Sequence, residues 1–109
     1  MASPGNVTFT DARTVADLMA KGQATLIDVR EAQESAAERI PGSRLVSLSV
    51  FDPAKAQPDP GTRLVLYCAA GVRCGVAAQK LQATGYEGDI LRLAGGIKGW
   101  RAEGLPTES

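Results

Sequence analysis

A chain of 109 residues with 44% hydrophobic side chains has enough apolar material for one small core without disulfides or metals. Twelve Lys and Arg balance twelve Asp and Glu, so no net field favours nucleic acid or an anionic membrane surface, and no apolar run approaches the ~20 residues that cross a bilayer. Histidine is absent, which removes Ser-His-Asp and Cys-His catalysis, and two cysteines without histidine make a poor zinc site.

A single domain is expected over 1–109, with its core from about 7 to 105. Met1 to Asn6 has neither a basic start nor a following apolar stretch, so no signal peptide is expected. Val7 to Phe9 is extended, and Thr10 caps a helix that presents Val15, Leu18 and Met19 and ends at Gly22. Thr25 to Val29 reads as a buried strand, apolar except for Asp28 near its carboxyl end. Glu31 to about Arg39 is a short polar helix that stops before Ile40-Pro41-Gly42, because a residue preceding proline avoids the helical region. Ser43 to Ser47 gives a brief strand around Leu45 and Val46.

In the second half, Phe51 to Ala56 allows one or two helical turns before the breaker-rich Gln57 to Gly61. Arg63 to Tyr67 is the strongest strand pattern in the sequence and runs directly into Cys68. Arg73 to about Thr84 is helical, with Val76, Ala77 and Leu81 on one face and Gly85 as its stop. A strand at Asp89 to Leu93 and a helix near Ile97 to Ala102 complete the pattern. Alternating strands and helices predict an α/β fold: a small, mostly parallel five-stranded sheet flanked by helices on both faces. Such sheets place ligands outside the carboxyl ends of their strands, where Asp28 and Cys68 both fall.

A cysteine at a strand end, followed by a turn containing Gly71 and then a helix, receives several backbone N–H groups aimed at one point. Such a nest binds anions and favours thiolate over thiol, so Cys68 is a candidate nucleophile without a histidine base. Arg73 in the first helical turn opposes the helix dipole at a cost of ~0.3–1 kcal/mol. That placement is reasonable if Arg73 turns back to hold an anion in the loop.

Four segments in order carry a resemblance to the rhodanese superfamily. Asp28-Val29-Arg30-Glu31 resembles its "DVR-E" signature, and Ile40-Pro41-Gly42-Ser43 its "IPGA" turn. Cys68-Ala69-Ala70-Gly71-Val72-Arg73 is similar to its C-x-x-G-x-R active-site loop, and Gly95 to Trp100 to its closing "GG-x-x-x-W". Arg39 stands where many relatives have histidine, a departure that leaves the chemistry untouched. The resemblance implies a sulfurtransferase in which Cys68 takes a sulfane sulfur as a persulfide, within the substrate-binding loop Ala69, Ala70, Gly71, Val72 and Arg73, and passes it to a thiophilic acceptor. No organic cofactor and no metal is required. The implied partners are a small sulfur donor and a thiol acceptor, either a small molecule or a protein, with no nucleic acid or membrane. Arg73 is the only cation in the loop, so a less anionic donor such as glutathione persulfide stands beside thiosulfate.

Asp28 at the end of an apolar strand needs a partner, expected among Arg30, Arg73 and nearby backbone N–H groups, with the supporting task of orienting the loop. Arg30 belongs to that network or to the solvated surface. Cys74 either packs in the helix or serves as a resolving thiol toward Cys68. Trp100 and the glycines near it read as core and turn residues. Two other functions compete: a non-catalytic or relay module of the same fold that binds a protein partner, and a related cysteine-dependent phosphatase or arsenate reductase. The latter needs a loop one residue longer, C-x5-R. Two cysteines six positions apart inside one motif do not form a secreted disulfide framework, so a reducing cytoplasm is expected, with a monomer as the default.

Overall fold

The structure, a computed structural model, describes residues 5–109. Residues 1–4, which open the Met1–Asn6 stretch, lie outside the described residues. Five strands, β1 (Val7–Thr10), β2 (Ala24–Asp28), β3 (Arg44–Leu45), β4 (Arg63–Tyr67) and β5 (Ile90–Leu93), form one sheet in the order β1-β5-β4-β2-β3. Every pairing is parallel, so the expected α/β fold with a five-stranded sheet is observed. Helices α1 (Ala12–Ala20), α2 (Ala32–Ala37) and α3 (Arg73–Ala83) and two short 3-10 turns lie between the strands, and α4 (Gly96–Ala102) follows the last of them. Among the described residues no helix is long and apolar enough to cross a membrane.

Side chains alternate across a strand, and the two halves of the core follow that alternation. Leu64, Leu66 and Cys68 pack with Ile27, Val29 and Ile90 beneath Cys74, Ala77, Ala78 and Leu81 of α3. Val65 and Tyr67 point the other way and pack with Leu26, Leu91 and Leu93 against Ala12 and Val15 of α1 and Ile97 and Trp100 of α4. Burial on both faces explains why β2 and β4 read as nearly continuous apolar runs.

Local details depart from the sequence reading for identifiable reasons. Asp11, not Thr10, caps α1: its carboxylate accepts the Thr14 N–H at 2.8 Å, while Thr10 stays in β1 opposite Leu93. Helix α2 ends at Ala37 because Glu38 is extended, with φ −164°. The strand expected over Ser43 to Ser47 keeps only Arg44 and Leu45, since Leu48 to Val50 turns into a 3-10 segment. Val76 is 44% exposed, and the inward face of α3 is completed by Ala78.

Candidate active site

Strand β4 delivers Cys68 to the carboxyl edge of the sheet, where the chain turns through Gly71 before α3 begins at Arg73. Gly71 has φ +101°, a left-handed conformation that disfavours any side chain, and it lets the Gly71 N–H donate to Cys68 Sγ at 3.1 Å. The loop is fixed from the other side by α4. Ile97 N–H donates to the Cys68 carbonyl at 2.9 Å, and Lys98 N–H to the Ala69 carbonyl at 3.2 Å. That approach requires Gly96, with φ +59°, because a Cβ there would lie 2.4 Å from the Cys68 carbonyl oxygen. The closing glycine pair therefore shapes the floor of the cysteine loop.

Cys68 is only 1% exposed, yet its thiol is pulled down to about 5. Hydrogen bonding from the Cys74 thiol contributes most, and the backbone N–H groups of Cys74, Gly71 and Ala70 add to it against the opposing effect of burial. At neutral pH Cys68 is a thiolate. Cys74, completely buried, moves the opposite way: the neighbouring Cys68 sulfur, and burial, push it far above the ordinary thiol range. The Cys74 thiol donates to the Gly71 carbonyl at 3.3 Å, and its Sγ accepts the Arg92 Nε–H at 3.3 Å.

Arg73 departs from its expected orientation. Instead of turning back over the loop, its guanidinium forms two parallel hydrogen bonds to the Glu34 carboxylate, at 2.8 and 2.9 Å. A cation at the start of α3 is thus offset by a carboxylate from α2, and it also draws the Glu34 carboxyl down to about 2. Its field still reaches Cys68, but its hydrogen-bonding fork is engaged elsewhere.

Asp28 lies on the opposite face of the sheet from Cys68. It is paired in register with Tyr67, the residue before the cysteine. Its carboxylate accepts Arg30 Nε–H at 3.0 Å, Arg30 Nη2–H at 2.8 Å, the Arg30 backbone N–H at 2.9 Å and the Tyr67 hydroxyl at 3.1 Å. Arg30 is 4% exposed, so it is a member of this buried network and not a surface charge, and it also bonds the Glu38 carbonyl at 2.7 Å. The network contacts the end of β4 through Tyr67 and makes no hydrogen bond to Ala69–Arg73 among the described residues. Trp100 is 3% exposed and donates its indole N–H to the Pro106 carbonyl at 2.7 Å.

Two residues around the loop escaped the sequence reading. Glu34 was passed over as part of a polar helix, although the Glu31/Glu34 capping box marks it as ordered. Arg92 was read only as one residue of a strand. A cation within Ile90-Leu91-Arg92-Leu93, in a sheet covered on both faces, was the signal available.

The rhodanese-like domain family matches residues 11–103, and the chain belongs to that family. An uncharacterized protein of Synechocystis is 37% identical over 94% of this chain, which spans 56% of that relative's length. The human thiosulfate:glutathione sulfurtransferase is 30% identical, with 92% of this chain and 96% of that protein aligned. The structure superimposes on a thiosulfate sulfurtransferase from Pseudomonas aeruginosa with a TM-score of 0.81 and 28% identity, covering 94% of this chain and 20% of the other. Bacterial tRNA uridine(34) hydroxylases are among the relatives at similar identity.

Proposed function

We propose that the chain is a sulfurtransferase that carries sulfane sulfur as a persulfide on Cys68. The observation that carries the reading is Cys68 at the end of β4 with its Sγ receiving the Gly71 N–H at 3.1 Å, in a loop where Cys74 and backbone N–H groups, without any histidine, pull the thiol down to about 5. The attacking sulfur displaces sulfite from thiosulfate: the Cys68–sulfur bond forms, the donor's S–S bond breaks, and sulfite leaves with its electron pair. An acceptor thiolate then takes the outer sulfur and returns Cys68 as thiolate. The negative terminal sulfur of the persulfide is served by the same donors that hold the thiolate. Cys68, the loop Ala69 to Arg73 and this route need neither cofactor nor metal.

Engagement of Arg73 by Glu34 lowers the demand for a doubly charged donor, so a glutathione-type persulfide is as suitable a donor as thiosulfate. The near-complete burial of Cys68 favours a slender sulfur carrier and acceptor. A monomer in a reducing cytoplasm, acting on small sulfur donors and thiol acceptors and not on nucleic acid or membrane, completes the proposal. The test is intact-mass analysis after incubation with thiosulfate, 3-mercaptopyruvate or glutathione persulfide. One added sulfur in the native protein and none in Cys68→Ser is expected. No sulfur gained from any of the three donors would overturn the reading.

A further inference from the structure

Arg92 has no part in the sequence motifs and does not touch Cys68, yet it is built into the back of the loop. It stands in β5 opposite Phe9 of β1, with its guanidinium carbon 4.1 Å from the centre of the Phe9 ring. On its other side it lies against Gly75, where a Cβ would come within 2.9 Å of the guanidinium carbon. In this conformation the guanidinium occupies space that a side chain at position 75 would take. Held in this slot, Arg92 donates Nη2–H to the Gly71 carbonyl at 2.7 Å and Nε–H to Cys74 Sγ at 3.3 Å.

The direction of these bonds matters. Once Cys74 Sγ accepts from Arg92, its own proton is directed away from the guanidinium, toward the loop, where it is donated to the Gly71 carbonyl at 3.3 Å. Withdrawal of electron density by a cation also makes that S–H a stronger donor. The bond to the Gly71 carbonyl meanwhile holds the peptide next to the one whose N–H points at Cys68.

We propose that Arg92 is a positioning residue for the reacting cysteine: together with the Cys74 thiol it holds the Gly71 carbonyl, and so anchors the loop with the Gly71 N–H on the Cys68 sulfur. In this role Cys74 links Arg92 to the Gly71 carbonyl and need not form a disulfide with Cys68. The other charges around the loop are Arg73, paired with Glu34 and also within the field of Glu31, and the Asp28–Arg30 pair on the far face of the sheet. Neither changes when Arg92 is replaced.

The inference rests on Cys68 being the reacting thiol of the proposed function. It is tested without donor or acceptor, by following the pH dependence of iodoacetamide alkylation at Cys68, with peptide mapping to separate Cys68 from Cys74. The native midpoint is expected near 5. Arg92→Met and Cys74→Ala should each raise it by about one pH unit or more, a tenfold change in the thiolate equilibrium. Cys74→Ser retains a donor, and Arg92→Lys retains a cation able to reach one of the two acceptors, so both should recover part of the shift. Near-UV circular dichroism identifies variants that have lost the packed fold. If Arg92→Met disrupts the fold, Arg92→Lys and Cys74→Ala decide the matter. A native-like midpoint in a folded Arg92→Met or Cys74→Ala would overturn the inference, whether or not the protein transfers sulfur.

Discussion

Arg73 and Glu34 face each other through two parallel hydrogen bonds, at 2.8 and 2.9 Å, joining the first turn of α3 to α2. Both side chains are about one-third exposed, so the pair is worth no more than about 1 kcal/mol despite its good geometry. The Glu34 carboxyl is lowered from 4.5 to about 2 in the folded protein. Its contribution is therefore fully present above the unfolded value and is lost as pH falls from about 4.5 toward 2. Glu34→Gln should lower stability in urea by up to about 1 kcal/mol at neutral pH, and the difference should shrink through that acid window. A constant difference down to pH 3, roughly midway through it, would contradict an origin in the ion pair.

Gly96 and Gly104 both have positive φ, at +59° and +75°, but only Gly96 is crowded. A methyl group at 96 would collide with the carbonyl oxygens of Cys68 and Ala69, whereas nothing lies within 4 Å of one at 104. Gly104→Ala should cost about 1 kcal/mol from backbone conformation alone. Gly96→Ala should cost at least about 2 kcal/mol more than that, and should also slow sulfur loading on Cys68 because its loop must shift. Equal unfolding midpoints for the two variants would show that the loop yields without strain.

The contrast between these residues explains how far the sequence could be read. Cys68 and its loop were legible because they are local: a strand ends, a glycine turns the chain and a helix starts within six residues. The sheet was legible because burial on both faces leaves continuous apolar runs. The relation of Asp28 to the loop was not, because it depends on register between strands separated by more than thirty residues. Register places Asp28 beside Tyr67, whose side chain faces away from Cys68. Arg73 reads from the sequence as turning back to hold an anion in the loop, and that its fork is taken by Glu34 emerges only once α2 has packed against α3. Arg92 announced an unmet need for a partner within an apolar strand, but its acceptors, Gly71 and Cys74, come together only when β5 lies beside β4.

The buried Asp28–Arg30 pair is expected to govern stability and not chemistry. Asp28 and Arg30 have side chains 0% and 5% exposed, and the Tyr67 hydroxyl links Asp28 to Ser43 at 2.9 Å and to the Ile40 N–H at 3.2 Å. Asp28→Asn leaves a guanidinium buried without its counter-charge, a change that costs about 3–5 kcal/mol. Tyr67→Phe should cost less, about 1–3 kcal/mol, since it orphans hydrogen-bonding groups but no charge. Denaturant melts should rank the two in that order. Under conditions where both remain folded, the alkylation midpoint of Cys68 should stay where it is in the native protein, because neither side chain reaches the cysteine loop. A shift in that midpoint would return Asp28 to the loop-orienting role expected from its place at the strand end.

The acid shift of Cys68 sets the shape of the pH–rate profile for sulfur loading. With the folded thiol at about 5, the thiolate fraction is nearly complete across neutral pH and declines only as pH falls through that value. The rate of persulfide formation from a donor that does not itself titrate should therefore be flat from roughly pH 6 to 8 and fall about tenfold per unit well below 5. An ordinary thiol titrating at 9.0 would instead become about tenfold faster with each unit over that same neutral range. Stopped-flow measurement of sulfite release under single-turnover conditions distinguishes the two profiles. A climbing rate at neutral pH would mean that the loop donors and Cys74 do not hold Cys68 as a thiolate, whereas a flat one shows that Cys68 reacts as a thiolate across the neutral range.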